Sequence, residues 1–196
     1  MREMLKNAGI LLAITVIAGF VLGAVYQITK GPIAEAEAAA AMEAYKEVFA
    51  DASDFSEMEV KADALTSGGI TGTDIDNIFE AKGADGSVLG YVLVITNHEG
   101  YGGDIQFTLG VANDGTTNGI SILAISETPG LGMEAESIIK PQYAGKNVAQ
   151  FVVTKTGAAS DDQIDAIDLN ILCSAIMQAN GIVCICFNVI PHIFLL

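Results

Sequence analysis

The residues best suited to chemistry lie in two glycine-rich runs, Gly100-Tyr101-Gly102-Gly103-Asp104 and Glu127-Thr128-Pro129-Gly130-Leu131-Gly132. In the second run Pro129 fixes one φ angle, while Gly130 and Gly132 free two others. Such a loop has a defined shape, and its backbone amides can approach a flat or anionic ligand because few side chains intervene. On spacing alone, glycine-rich loops after strands are most often only turns. The two runs therefore gain meaning from each other and from the strand-turn-strand between them.

Other constellations are absent from the sequence. His98 and His192 have no His or Cys partner at ligand spacing, so each reads as structural or exposed. Cys173, Cys184 and Cys186 fall in the last 24 residues, a poor zinc pattern without further ligands; they read as small hydrophobes in an apolar tail. No glycine fingerprint follows an early strand and there is no Walker loop, which argues against a Rossmann or P-loop reading. Without a Ser/His/Asp or Cys/His arrangement, a carrier fits better than a hydrolase.

The elements that must position the two runs form a sheet. Asn77–Lys82 and Val88–Asn97 flank the turn Ala84-Asp85-Gly86-Ser87, and Gly103–Asn113 and Gly119–Ser126 flank Asp114-Gly115. Ile105, Phe107, Leu109 and Val111 alternate with Gln106, Thr108 and Gly110, which predicts one buried and one wetter face. Two hairpins bordered by helices predict an α+β domain. A helix is expected over residues 33–50, with Met42, Tyr45, Val48 and Phe49 on its core stripe. Pro32 suits the first turn of that helix. Residues 51–74 read as loop with one short strand near Met58 to Lys61, Met133–Ile139 as a short helix, and Phe151-Val152-Val153 as the last strand.

From Asn7 to Thr29 no side chain is charged. At about 1.5 Å per residue, that run can cross a hydrocarbon core of about 30 Å. A signal peptide would have a shorter apolar region and end in a small-residue cleavage site, so an uncleaved anchor is expected. Gly19 and Gly23, four apart, read as ordinary glycine content of a membrane helix or as a face for close helix approach. Arg2 and Lys6 precede the span and a strongly acidic segment follows it, which places the N-terminus in the cytoplasm and the domain outside. Residues 1–30 are thus read as cytoplasmic N-terminus and membrane helix, and 31–196 as the extracytoplasmic domain. Residues 31–196 carry six basic and 23 acidic side chains, a net −17. A field of that sign repels nucleic acid and anionic lipid.

With GYGGDI at 100–105, the DG turn at 114–115 and ETPGLG at 127–132, the chain resembles the FMN-binding domain of the G subunit of Rnf-type ferredoxin:NAD oxidoreductases. The C subunit of sodium-pumping NADH:quinone oxidoreductases is similar. The likeness takes in the N-terminal membrane segment and reaches Ile167. It implies an α+β fold: one N-terminal transmembrane helix, then an FMN-binding domain with an antiparallel sheet flanked by helices. It also implies a membrane-anchored electron carrier, working with other membrane and redox subunits of an ion-translocating complex rather than as an enzyme by itself. The expected flavin contacts are Gly102, Gly103, Glu127, Thr128, Gly130, Leu131 and Gly132.

In that family FMN is held by a phosphoester to a threonine in a Ser-Gly-Ala-Thr segment. Here the chain continues Asp168-Leu169-Asn170-Ile171-Leu172-Cys173. Aligned from the preceding Asp-Ala-Ile, Ile171 stands where the threonine belongs; aligned from the following Ser174-Ala175-Ile176-Met177, Asn170 does. No threonine follows Thr156, so the resemblance implies FMN while the residues deny that ester. The tail 168–196 is atypical of the family. A buried C-terminal helix or strand, an error in the recorded sequence and a change of reading frame near Ile167 would each account for it. The alternatives are a subunit of the quinone-linked sodium pump, or a non-redox structural subunit that has lost the covalent flavin site.

Overall fold

The computed structural model describes residues 2–58, 72–98, 100, 102–126, 135–148, 151–154 and 157–165. The chain divides into two compact units, Met1–Met42 and Glu43–Leu196.

The first unit is the leading part of one long helix, α1, Arg2–Val48. It is long and apolar enough to cross a membrane. Its few polar breaks are satisfied within the helix: Thr15 Oγ1 donates to the Leu12 carbonyl at 2.9 Å, and Thr29 Oγ1 to that of Val25 at 2.9 Å. Contrary to the expectation of a new helix starting at Pro32, α1 runs through Gly31-Pro32 without a break. Pro32 forfeits one amide donor, but the Ala- and Glu-rich residues after it are among the best helix formers.

The second unit opens with the last turns of α1 and a five-stranded antiparallel sheet in sequential order, β1 Asp54–Glu57, β2 Thr73–Lys82, β3 Val88–Asn97, β4 Ile105–Ala112 and β5 Thr117–Ala124. The β2–β3 and β4–β5 hairpins turn where the sequence predicts. Asp85 Oδ1 accepts from the Ser87 amide at 3.0 Å, and Asp114 Oδ1 from the Thr116 amide at 2.9 Å. Those bonds hold both carboxyls below the ordinary aspartate value, with the Ser87 hydroxyl the larger contributor at Asp85. The first strand lies at Asp54–Glu57, just before the expected Met58–Lys61 segment, of which Met58 lies outside any strand and 59–61 outside the described residues. Its register, Phe55 opposite Ala81, is set by the aromatic contacts of Tyr45 with Phe55 and Phe79, ring centroids 5.6 and 4.9 Å apart.

Both faces of the sheet are covered. On one, Tyr91, Leu93, Ile95, Ile105, Phe107, Leu109, Val111 and Ile120 meet Ile139, Tyr143, Phe151 and Ile164. On the other lie Ala44, Tyr45, Val48 and Phe49 of the α1 end, all buried. The sequence predicts a wetter second face on β4. Instead Thr108 and Gly110 are buried, because Val48 lies directly over Gly110, where a Cβ would meet the Val48 Cβ at 2.8 Å. At Gly90 a Cβ would lie 2.6 Å from Phe49 Cζ and 2.3 Å from the Val111 carbonyl oxygen. Burying each such large side chain contributes about 1.5–3 kcal/mol. Met42, expected on the same stripe, is 43 % exposed.

The first layer is completed by a short helix α2, Ala135–Ile138, a 3-10 turn, Lys140–Gln142, and a parallel pair, β6 Val152–Thr154 with β7 Gln163–Asp165. The sequence reading missed β7 and the parallel pairing, since three-residue strands carry too little alternation to register. Gln142 acts as a clamp: its side chain accepts from the Asp165 amide at 2.7 Å and donates to the Asp165 carbonyl at 3.0 Å.

Candidate functional site

In the β4–β5 hairpin Gln106 stands opposite Ala124. Residues 102–104 therefore enter β4 at the end where Ile125 and Ser126 leave β5. Gly102 and Gly103 are exposed. Gly103 has φ +144°, and a Cβ there would lie 3.8 Å from the Ser126 Cβ, an ordinary contact. The glycine is thus required by its backbone conformation and not by lack of space. The structure brings Gly102 and Gly103 to the residue that precedes the second glycine-rich run. Glu127, Thr128, Gly130, Leu131 and Gly132, like Asn170 and Ile171, lie outside the described residues.

The same edge holds a cluster that sequence reasoning missed. His98 Nδ1 lies 3.0 Å from Asp104 Oδ1, and its Nε2 lies 3.0 Å from Asp74 Oδ2. Its own amide donates to the Gly72 carbonyl at 2.8 Å. An imidazole donates from both nitrogens only when protonated, and Asp104 first, then Asp74, lift the His98 pKa above its ordinary value. One pair along, Asp76 Oδ2 accepts from Thr96 Oγ1 at 2.6 Å and Gln106 Nε2 at 3.0 Å. Only the strand register, with Asp74 opposite Thr96, reveals these partners; in sequence Asp74 stands 24 residues from His98.

These residues suit part of a flavin mononucleotide. A side-chain-free glycine turn admits the flat, uncharged isoalloxazine ring. Asp74, Asp76 and Asp104 would repel a phosphate, so among the described residues this edge would suit the ring of such a molecule better than its phosphate.

A separate cleft of about 390 Å³ opens at the other end of β5, lined by Glu47, Gly119, Glu136, Lys140 and Pro141 among others. Lys140 Nζ lies 2.5 Å from Glu47 Oε1 and 3.5 Å from Glu136 Oε1, and Ser121 Oγ donates to the other Glu47 oxygen. Partial burial pushes the Glu47 carboxyl up, but Lys140 and Ser121 outweigh it and leave it below the ordinary value. The arrangement ties α1 to β5 and the 3-10 turn, and its one cation is already satisfied. Among the described residues no group of His, Cys, Asp and Glu could hold a metal ion.

Comparison with known proteins identifies the family. Residues 100–167 match the family described as FMN-binding domain, and residues 1–48 that described as RnfG N-terminal region. The chain is 29 % identical over 171 residues to the G subunit of the Na(+)-translocating ferredoxin:NAD(+) oxidoreductase complex of Acetobacterium woodii, covering 85 % of this chain and 82 % of that one. It is 30 % identical over 174 residues to the G subunit of the ion-translocating oxidoreductase complex of Methanosarcina acetivorans, covering 85 % and 84 %. Among solved structures, Shewanella oneidensis NqrC aligns with a TM-score of 0.41 at 18 % identity, over 71 % of this chain and 66 % of that one. With an FMN-binding domain that begins at the glycine turn and a relative matched along most of both chains, the protein belongs to the family of G subunits of ion-translocating oxidoreductase complexes.

Proposed function

We propose that this chain is the membrane-anchored flavoprotein of a ferredoxin:NAD oxidoreductase complex that moves ions, and that it carries electrons through one FMN. The observation that carries the reading is the FMN-binding match over 100–167, which starts at the turn that Gly103 sets against Ser126. Bound flavin accepts one or two electrons, so the chain needs no general base. Its own residues have three tasks: Gly102 and Gly103 leave room for the ring, the Glu127–Gly132 run supplies amides and apolar contact through Thr128 and Leu131, and the N-terminal half of α1 keeps the domain at the membrane. The phosphate is assigned to the segment from Asp168 to Ser174. There Asp168 opposes it by about 1 kcal/mol if both are exposed and about 4 Å apart, and Asn170 or Ile171 replaces the ester-forming threonine. FMN is therefore held without a phosphoester, and more weakly. Arg2 and Lys6 before the span and the acidic domain after it favour a cytoplasmic N-terminus and an external domain. The partners are further membrane and redox subunits of the same complex.

The test is the visible spectrum of full-length protein purified in mild detergent from a flavin-replete host. A flavin band present in the folded protein and lost from the polypeptide on denaturation is expected. A band that stays with the unfolded chain would mean a covalent link. A colourless preparation that takes up no added FMN would sink the redox reading in favour of a structural subunit. Recovery of the chain as a lone monomer, without membrane partners, would count against the complex.

A further inference from the structure

Asp74, His98 and Asp104 join three separate stretches of chain at one end of the sheet. Asp74 lies on β2, His98 follows β3, and Asp104 precedes β4. Asp104 is also the residue after Gly103, whose left-handed backbone carries the turn past Ser126. An imidazole with a carboxylate on each nitrogen fixes the position of Asp104 relative to β2, and with it the exit angle of the glycine pair. We infer that His98 is a positioning residue: as an imidazolium clasped between Asp74 and Asp104 it holds the Gly102-Gly103 turn against the end of β5, and its deprotonation releases that turn. The inference rests on the flavin reading only for its consequence, that FMN is bound more tightly with the clasp closed.

Among the described residues, the charged groups that face this histidine are Asp74 from β2 and Asp104 from the segment before β4, and Asp76 lies next along β2. Asp74 and Asp104 favour the protonated ring, while Asp76 is engaged by Thr96 and Gln106. A neutral imidazole keeps one N–H and can donate to only one of the two carboxylates, which leaves the other facing a lone pair. The side chains are well exposed, 44 % for His98, 75 % for Asp74 and 63 % for Asp104. The clasp therefore weakens with salt as well as with rising pH. His98 has a folded-state value above its unfolded one of about 6.5. Its contribution is full below that pH and lost as pH rises through the folded value.

The experiment uses full-length protein in detergent, with hydrogen-exchange protection of the peptide that spans residues 98–107 followed from pH 6 to 9 and corrected for intrinsic exchange. FMN titrations run in parallel. In the unaltered chain, protection should fall about three- to tenfold through a single step above pH 6.5, and FMN affinity should fall with it. His98→Gln should remove the step and show the low protection at every pH. His98→Arg, always charged and able to reach two carboxylates, should keep the high protection to pH 9. Loss of protection in both variants at all pH values, or a step that survives in His98→Gln, would overturn the inference. Failure of every form to bind FMN would instead count against the flavin reading, while the exchange data still decide the clasp.

Discussion

Val48 of α1 lies over Gly110 of β4 so closely that a Cβ on the glycine would sit 2.8 Å from the Val48 Cβ and 3.2 Å from the Val48 carbonyl oxygen. At Val48 the helix end meets backbone, while Tyr45 of the same end packs on the Phe55 and Phe79 rings. Gly110→Ala should therefore push α1 away from the sheet, with an expected loss of about 1–3 kcal/mol. Denaturant unfolding of the full chain in detergent should show a lower midpoint with little change in slope. An unchanged midpoint would mean that the helix end is not packed as described.

Gly103→Val tests the turn. A β-branched residue cannot adopt φ +144° without strain, while the open space around it predicts no clash with the core. The expected result is at least a tenfold loss of FMN affinity, read by flavin fluorescence, with a stability loss of no more than about 1–3 kcal/mol from the strained backbone. Equal affinity would remove Gly103 from the flavin site.

Glu47 and Lys140 set an acid-side prediction. The Glu47 carboxyl is lowered, so its contribution is present above the unfolded value of about 4.5 and is lost as pH falls through the folded value. Partly exposed pairs of this kind are worth about 0.2–1 kcal/mol. Glu47→Gln should cost that much at pH 7 and progressively less as pH falls below about 4.5. A pH-independent difference between the two proteins would show that packing of the side chain matters and its charge does not.

The membrane assignment is checked by single cysteines added to a version in which Cys173, Cys184 and Cys186 are replaced by Ser. A cysteine at Ser87, in the exposed β2–β3 turn, should react in intact cells with a thiol reagent that does not cross membranes. A cysteine at Glu3 should react only after lysis. The reverse pattern would invert the orientation drawn from Arg2 and Lys6.

The legible parts of this fold were those with a short-range physical signature. The apolar run from Asn7 to Thr29 lies in one helix long and apolar enough to cross a membrane. Val88–Asn97 lies where its β-branched residues and flanking turns place it. What escaped depended on partners distant in sequence. Thr108 reads as the wet side of β4 until Val48, sixty residues earlier, covers that face. Pro32 reads as a helix start until the helix formers around it outweigh the lost donor. His98 reads as an unpaired surface residue until the β2–β3 register delivers Asp74. Of the two glycine runs, the structure describes the first, where Gly103 lies beside Ser126, while the second lies outside the described residues.

The short β1 strand has a consequence for how copies of the protein meet. Its four residues, Asp54–Glu57, begin and end in carboxylates, and Glu57 Oε1 is already engaged by Asn77 Nδ2 at 2.6 Å. A foreign strand docking along that rim would gain few ladder bonds and would bring like charges together. Among the described residues, the β1 edge is thereby guarded against strand-to-strand aggregation.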